Sequence, residues 1–127
     1  MRGLTGYWRE ELGHAAEFAI VLIPFTMLIF MIVHLGLMFY ANENLQYAAE
    51  AAARCYSVDS TSCGSVTAAQ NYALARYKGP NIGAAFVASN VALPTGCGHK
   101  VTGTGTYQVD AVLVHRAVTL RAASCFP

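Results

Sequence analysis

Few side chains in this sequence have a type and spacing that could do chemistry. The first is Glu17, the acid in "GHAAEFAIVLIPFTMLIFMIVHLGLMFY" (Gly13 to Tyr40), set where a long apolar run begins. The second group is four cysteines, Cys55, Cys63, Cys97 and Cys125, all after that run. "CGH" at Cys97 to His99 offers two metal-ligating side chains, but no second ligand pair follows, and a disulfide explains the cysteine better. Asp59, Asp110, His99 and His115 form no recognisable triad. "GTGTY" at Gly103 to Tyr107 is not GxGxxG, and without a P-loop any energy for assembly must come from other proteins. The sequence thus predicts no catalytic residue, no metal, no cofactor and no small-molecule substrate; the protein reads as a non-enzyme.

Composition narrows the classes further. The chain has 127 residues and a formal net charge of +1, which is one small domain at most. Its basic residues after the apolar run, Arg54, Arg76, Lys78, Lys100, Arg116 and Arg121, stand singly, so nothing supports nucleic-acid binding. About 85 residues remain outside the apolar run, enough for only a thin core, and such domains often need staples. On an oxidising side of a membrane four cysteines read as two disulfides, with three pairings open. Cys55–Cys63 and Cys97–Cys125 are favoured because each pair brackets a local unit; free thiols in a reducing compartment are the alternative.

The elements that must position these residues start with the apolar run. Phe18 to Tyr40 is 23 residues without Asp, Glu, Lys or Arg, and about 20 helical residues cross the hydrocarbon. The run exceeds the core of a cleavable signal, and no small-x-small site follows it, so it reads as retained and spanning. Arg2 and Arg9 in "MRGLTGYWREELG", with the cysteines on the far side, predict a cytoplasmic N-terminus and an extracytoplasmic head. "ANENLQYAAEAAARCYSV" continues the helix: Met38, Ala41, Leu45, Ala48, Ala52 and Cys55 make a stripe of mostly small residues against which another backbone could lie. From Ala15 to Tyr56 such a helix is about 60 Å long.

"SVTAAQNYALARY" predicts a second helix with Val66, Ala69, Ala73 and Tyr77 on one face, capped by Ser62 or Ser65 and stopped at "KGPN". "AAFVASNVAL" reads as a strand, and "HKVTGTGTYQVDAVLVHRAVTLRAASCF" as two more. In the last of them Val112, Val114, Val118 and Leu120 share one side; Arg116 interrupts it, which predicts a bulge or an edge. The fold class is α+β: a long N-terminal helix, a short second helix and a small antiparallel sheet. The expected organisation is a cytoplasmic leader (1–13), a transmembrane helix (14–40) and an extracytoplasmic head (41–127) that includes a helix extension (41–56).

Glu17 has two readings. A carboxylate at a bilayer centre costs about 2.5–3.5 kcal/mol, and less near an interface. It is either a headgroup-level acid complementing the helix N-terminal dipole, or a charge awaiting a partner. Pro24 should kink or loosen the span. His34 reads as a histidine satisfied within the span, and Gly36 as a point of close helix contact.

The stretch "GHAAEF" resembles the processing site of type IV pilins, in which a membrane-embedded peptidase cuts after the glycine. The longer stretch "AAEFAIVLIP…HLGLMFYANENLQYAAEAAAR" is similar to the TadE-like family of tight-adherence (Tad, Flp) pilus proteins. The matching features are Glu17-Phe18-Ala19, Pro24, Gly36, Phe39-Tyr40-Ala41 and Leu45 to Arg54; the closing "TLRAASCFP" also resembles that family's ending. The resemblance implies a pilin-like α+β fold and a structural minor pilin or pseudopilin, cut between Gly13 and His14. It implies that Glu17, Phe18 and Pro24 serve recognition and subunit assembly, Glu17 pairing with a neighbour's N-terminal ammonium or marking the chain for the peptidase. The implied partners are inner-membrane lipid, a prepilin peptidase, other pilin subunits and the Tad assembly machinery. After a cut at Gly13, Glu17 becomes the fourth residue, where the common pilin pattern has it fifth. Two rivals follow from the residues alone: an unprocessed signal-anchored envelope protein presenting a disulfide-bonded binding domain, and a small envelope enzyme.

Overall fold

The computed structural model describes residues 4–91, 96–111 and 114–127. Its elements are α1 (Leu4–Val58), α2 (Val66–Arg76), β1 (Ala85–Val91), β2 (Gly98–Ala111) and β3 (Val114–Phe126). The strands form one antiparallel sheet in the order β1-β2-β3. This is the expected α+β architecture. The expected first helix gains residues at both ends, beginning at Leu4 instead of near Ala15. Met1, Arg2 and Gly3 of the leader, and Val112 of the expected inward strand face, lie outside the described residues. The chain forms two compact units, Met1–Leu35 and Gly36–Pro127.

In the second unit the core is built on small residues. Ala41, Leu45, Ala48, Ala49, Ala52 and Ala53 of α1 are fully buried, with Ala69 and Ala73 of α2. They meet Ile82, Phe86 and Ala88, then Val101 and Tyr107 of β2, then Leu120 and Ala122 of β3. The stripe that the spacing predicts is therefore real, widened by Ala49 and Ala53, but what lies against it is the chain's own sheet. The sheet makes room with glycine. In β2, buried Val101, Gly103 and Gly105 alternate with the more open Thr102, Thr104 and Thr106, as the period-two pleat requires. A Cβ on Gly103 would stand 2.6 Å from Phe86 Cε1 and 3.1 Å from Leu45 Cδ1. Leu45, among the largest fully buried side chains, thus fills the space left by a missing side chain. Burying it contributes about 1.5–3 kcal/mol.

The β2–β3 ladder runs without a bulge from His99↔Phe126 to Ala111↔Val114. The expected bulge at Arg116 is therefore absent; the expected edge is present, since β3 is an outer strand. Val118 and Leu120 turn inward as predicted, followed by Ala122, whereas Val114 is 49% exposed. Exposure of Val114 to Ala117 lets Arg116 share the inward parity without burying its charge.

Ties at the helix ends complete the unit. The disulfides are Cys55–Cys63 and Cys97–Cys125, with Cα atoms 5.7 and 5.8 Å apart, the favoured pairing. Closing loops of 8 and 28 residues contributes about 2–4 kcal/mol each. Gly98, at φ 90°, turns the chain where a Cβ would meet the Phe126 carbonyl oxygen at 2.6 Å. Ser57 Oγ donates to the Pro127 carbonyl at 2.5 Å, and Gln46 Nε2 to that of Ala123 at 3.3 Å. Ser65, not Ser62, caps α2: its Oγ accepts from the Ala68 N–H at 3.1 Å. Ser62 serves the preceding turn, where its N–H and that of Thr61 donate to Asp59 Oδ1 at 3.0 and 2.9 Å.

Two outcomes follow. Gly103→Ala should destabilise the protein by about 1–3 kcal/mol through overpacking, and Phe86→Leu added to it should recover part of the loss, read by thermal unfolding of the detergent-solubilised chain. The bonds from Ser62 and Thr61 hold the Asp59 carboxyl below its ordinary 3.8. A lowered native pKa contributes stability above the unfolded value, lost as pH falls through the native value. Asp59→Ala should therefore lower Tm at pH 7, with the difference from the parent shrinking toward about pH 2. An equal difference at both pH values would show that the carboxylate's charge plays no part.

Candidate functional site

The residues singled out at the start of the apolar run all lie on α1. Gly13, His14, Glu17, Phe18 and Pro24 are helical and exposed within their own unit. The segment is helical because it is almost wholly Ala, Leu, Ile, Met, Val and Phe, with Pro24 as its one internal breaker. The helix continues through Pro24. Proline has no N–H to give the Ile20 carbonyl, four residues back. Two residues on, Thr26 donates its Oγ1 hydrogen to the Leu22 carbonyl at 2.7 Å, so the threonine hydroxyl is satisfied without water.

Side-chain exposure sets what this segment can do. Phe18, Ile20, Val21, Ile23, Phe30, Met31 and most of their neighbours up to Tyr40 are exposed, His34 and Met38 being half-buried. An uncovered apolar surface of this extent marks contact with lipid or with other proteins. The helix is long and apolar enough to cross a membrane, and it fits a membrane anchor. Its backbone is hydrogen-bonded within the helix, the condition for standing in hydrocarbon. His34 is half-buried and engaged within the chain. Gly36 has open space where a Cβ would be, so no close contact forms there within the chain.

Glu17 changes meaning with the helix boundary. In the uncut chain α1 begins at Leu4, so Glu17 lies more than three turns inside it. The helix dipole acts mainly within the first turn, so the dipole-complementing reading does not hold here.

Elsewhere the structure separates the polar residues that a catalytic reading would need together. Cys97 is joined to Cys125 and cannot ligate a metal. The His99 ring stands edge-on to Tyr56, centroids 4.3 Å apart, with Nδ1 buried and unpartnered. Asp59 is committed to its turn. Asp110 and His115 do meet, Oδ1 to Nδ1 at 3.0 Å, a pairing not read from the sequence. The signal was available: period two in both strands makes them cross-strand partners next to the hairpin's end. Both are largely exposed, so the pair adds little stability. Among the described residues no group of three His, Cys, Asp or Glu could hold a metal ion.

The model of the TadE-like protein family matches residues 15–54. The matched segment runs from just before Glu17 to Arg54, taking in the apolar span and most of the alanine face, and leaves α2 and the sheet outside. No curated protein and no solved structure matches the chain.

Proposed function

We propose that this chain, TadE-like over residues 15–54, is a minor pilin or pseudopilin of a Tad-type pilus and secretion apparatus. In this reading residues 1–13 form a cytoplasmic leader, 14–40 the span and 41–127 the periplasmic head. A prepilin peptidase cuts between Gly13 and His14, and the apolar helix carries the subunit from the inner membrane into an assembly. The role is structural: the helix supplies the contact surface, and other proteins supply the energy.

The observation that carries the reading is the coincidence of the family match with the uncovered apolar helix and its single acid at the entrance. Processing would give Glu17 two partners at once. A cut after Gly13 turns Glu17 into the fourth residue of a new helix, beside its free N–H groups. It also creates an α-ammonium, which a neighbouring subunit can present to Glu17 where the dielectric is low. Phe18 and Pro24 belong to the recognition face of the same segment.

One observation favours a second reading, an unprocessed signal-anchored envelope protein presenting a small disulfide-bonded domain. Gly13 and His14 lie inside a continuous helix, and a peptidase must unwind a helix to reach the bond between them. Glycine lowers that cost by about 1 kcal/mol relative to alanine.

The mature N-terminus discriminates. Mass spectrometry of the chain from cells with an active prepilin peptidase should find His14 first, N-methylated, and Glu17→Ala should reduce the share of the chain in sheared fibres while leaving it in the membrane. An intact Met1 in those cells would favour the anchor.

A further inference from the structure

The β2–β3 hairpin outruns the rest of its sheet. β1 covers β2 only as far as Thr104, opposite Ala85, whereas β2 and β3 stay paired to Ala111↔Val114. One further bond, from the Thr106 N–H to the Ile82 carbonyl at 2.8 Å, closes that edge. Beyond it two strands continue alone, with Val114, His115, Arg116 and Ala117 exposed. The sequence that joins them, "DAVLVHR", is apolar from 111 to 114, where hairpin turns ordinarily carry Gly, Asn or Asp.

Contacts within the second unit give the hairpin's direction. Tyr56 stands against His99, and Leu45 fills the space at Gly103, so β2 runs toward the N-terminal end of the helix portion in this unit. From Gly103 to Ala111 is about 26 Å of strand. From Leu45 to Tyr40 is about 8 Å of helix. Even at a crossing angle of about 60° the strand advances about 13 Å, past the level of Tyr40. The end of α2 lies there too: burial, and then the Tyr40 phenol beside it, push the Tyr77 pKa up. On the hairpin, period two puts Arg116 on the same face as Val114 and opposite Asp110 and His115, which bond each other at 3.0 Å. Arg116 has no ion pair among the described residues. Glu43, the nearest acid on α1 in this unit, lies a turn beyond Tyr40 on the head side.

We infer that the end of this hairpin rests in the headgroup layer of the membrane that the apolar helix crosses, with Arg116 on a lipid phosphate and Val114 at the acyl boundary. The inference rests on the membrane anchor, common to both readings above, with Tyr40 at its outer limit. Lipid surrounds a spanning helix on every side, so any part of the head that reaches this level meets headgroups whichever way it leans. A guanidinium matches a phosphate with two parallel N–H bonds. Its aliphatic stem lies along apolar surface while the charge stays in the polar layer. Phe39 and Tyr40, 63% and 52% exposed, are aromatic residues of the kind that collect at this boundary. The head is then held at two points, so it does not swing freely about α1, and leaving the membrane requires the hairpin to release its lipid.

The test uses the full chain in vesicles of phosphatidylethanolamine and phosphatidylglycerol. A photo-crosslinking amino acid replaces Val114 or, for comparison, Val58, which is 76% exposed at the other end of the unit's helix. Lipid adducts, read by mass spectrometry, should be about fivefold or more as abundant at 114 as at 58. Arg116→Glu should lower the yield at 114 about fivefold, the order expected for one basic residue at an anionic lipid surface. Arg116→Lys should keep most of it. Both variants should keep the parent's Tm, since the side chain is exposed. Equal yields at 114 and 58, adducts to protein alone, or a yield at 114 indifferent to Arg116→Glu would overturn the inference. A chain that alkaline carbonate strips from the vesicles overturns the anchor as well. A chain that resists the wash but gives no lipid adduct at 114 overturns the hairpin contact alone.

Discussion

Close approach between an alanine face and a glycine-bearing strand is the contact on which the second unit depends. Among the described residues the buried positions of α1 are alanines except for Leu45, and two inward positions of β2 are glycines: Gly103 faces Leu45 and Phe86, and Gly105 faces Ile82. The alanines offer little area per residue, so a few larger side chains, Leu45, Phe86 and Ile82, fill the space that the glycines leave open. Dispersion falls steeply with distance, and a gap of 0.5–1 Å already forfeits a quarter to a half of each contact. That makes the fit unforgiving and explains why so few large side chains suffice. It also explains the staples: a core of alanine and glycine contributes little transfer free energy, and two disulfides offset the deficit by limiting the unfolded chain.

The same helix faces an opposite problem before residue 41. From Phe18 to Leu37 the large apolar side chains are exposed; Met38 is the first to pack against the core. Within α1, then, composition changes from bulky and apolar to small, and the change marks where the covering agent changes. Bulky aliphatic and aromatic groups suit lipid or other apolar helices, for which no tight complement need be specified. Alanine suits a partner whose shape is fixed, here the chain's own sheet. One helix can carry both because Ala, Leu and Met are all good helix formers, whatever covers their side chains.

How far the sequence reveals this structure depends on the periodicities involved. The helix stripe at Met38, Ala41, Leu45, Ala48 and Ala52 was legible because a 3.6-residue period survives in small residues. The disulfide pairing was legible because Cys55 and Cys63 bracket one turn, and Cys97 and Cys125 bracket one hairpin. The identity of the covering partner was not legible. A small-residue stripe says only that something comes close, and the glycines that admit it sit almost sixty residues later, in what reads as a loose turn-rich segment. The bulge expected at Arg116 failed for a related reason. Alternation predicts which way a side chain points, but not how far along the strand the core extends. The Asp110–His115 pair needed the hairpin register, which no single strand carries.

The candidate site is less legible still, since under the proposed processing its chemistry depends on where the helix starts. Inside a helix that starts at Leu4, Glu17 is an acid on an apolar rod with no ion-pair partner among the described residues, and its cost depends on depth in the lipid. In a helix starting at His14 the same carboxylate lies in the first turn, near free N–H groups and a new positive charge. Removing one partner of a buried ion pair costs more than never having had the pair, because the remaining charge is left uncompensated. An acid in this position is therefore tolerable near an interface before processing. Under the proposed assembly it would become favourable only if each neighbour brought an ammonium. The one-residue difference from the common pilin spacing matters on this scale. A helix turns about 100° per residue, so the fourth and fifth positions point a carboxylate in different directions. A neighbour that serves Glu17 must approach along the direction set by four.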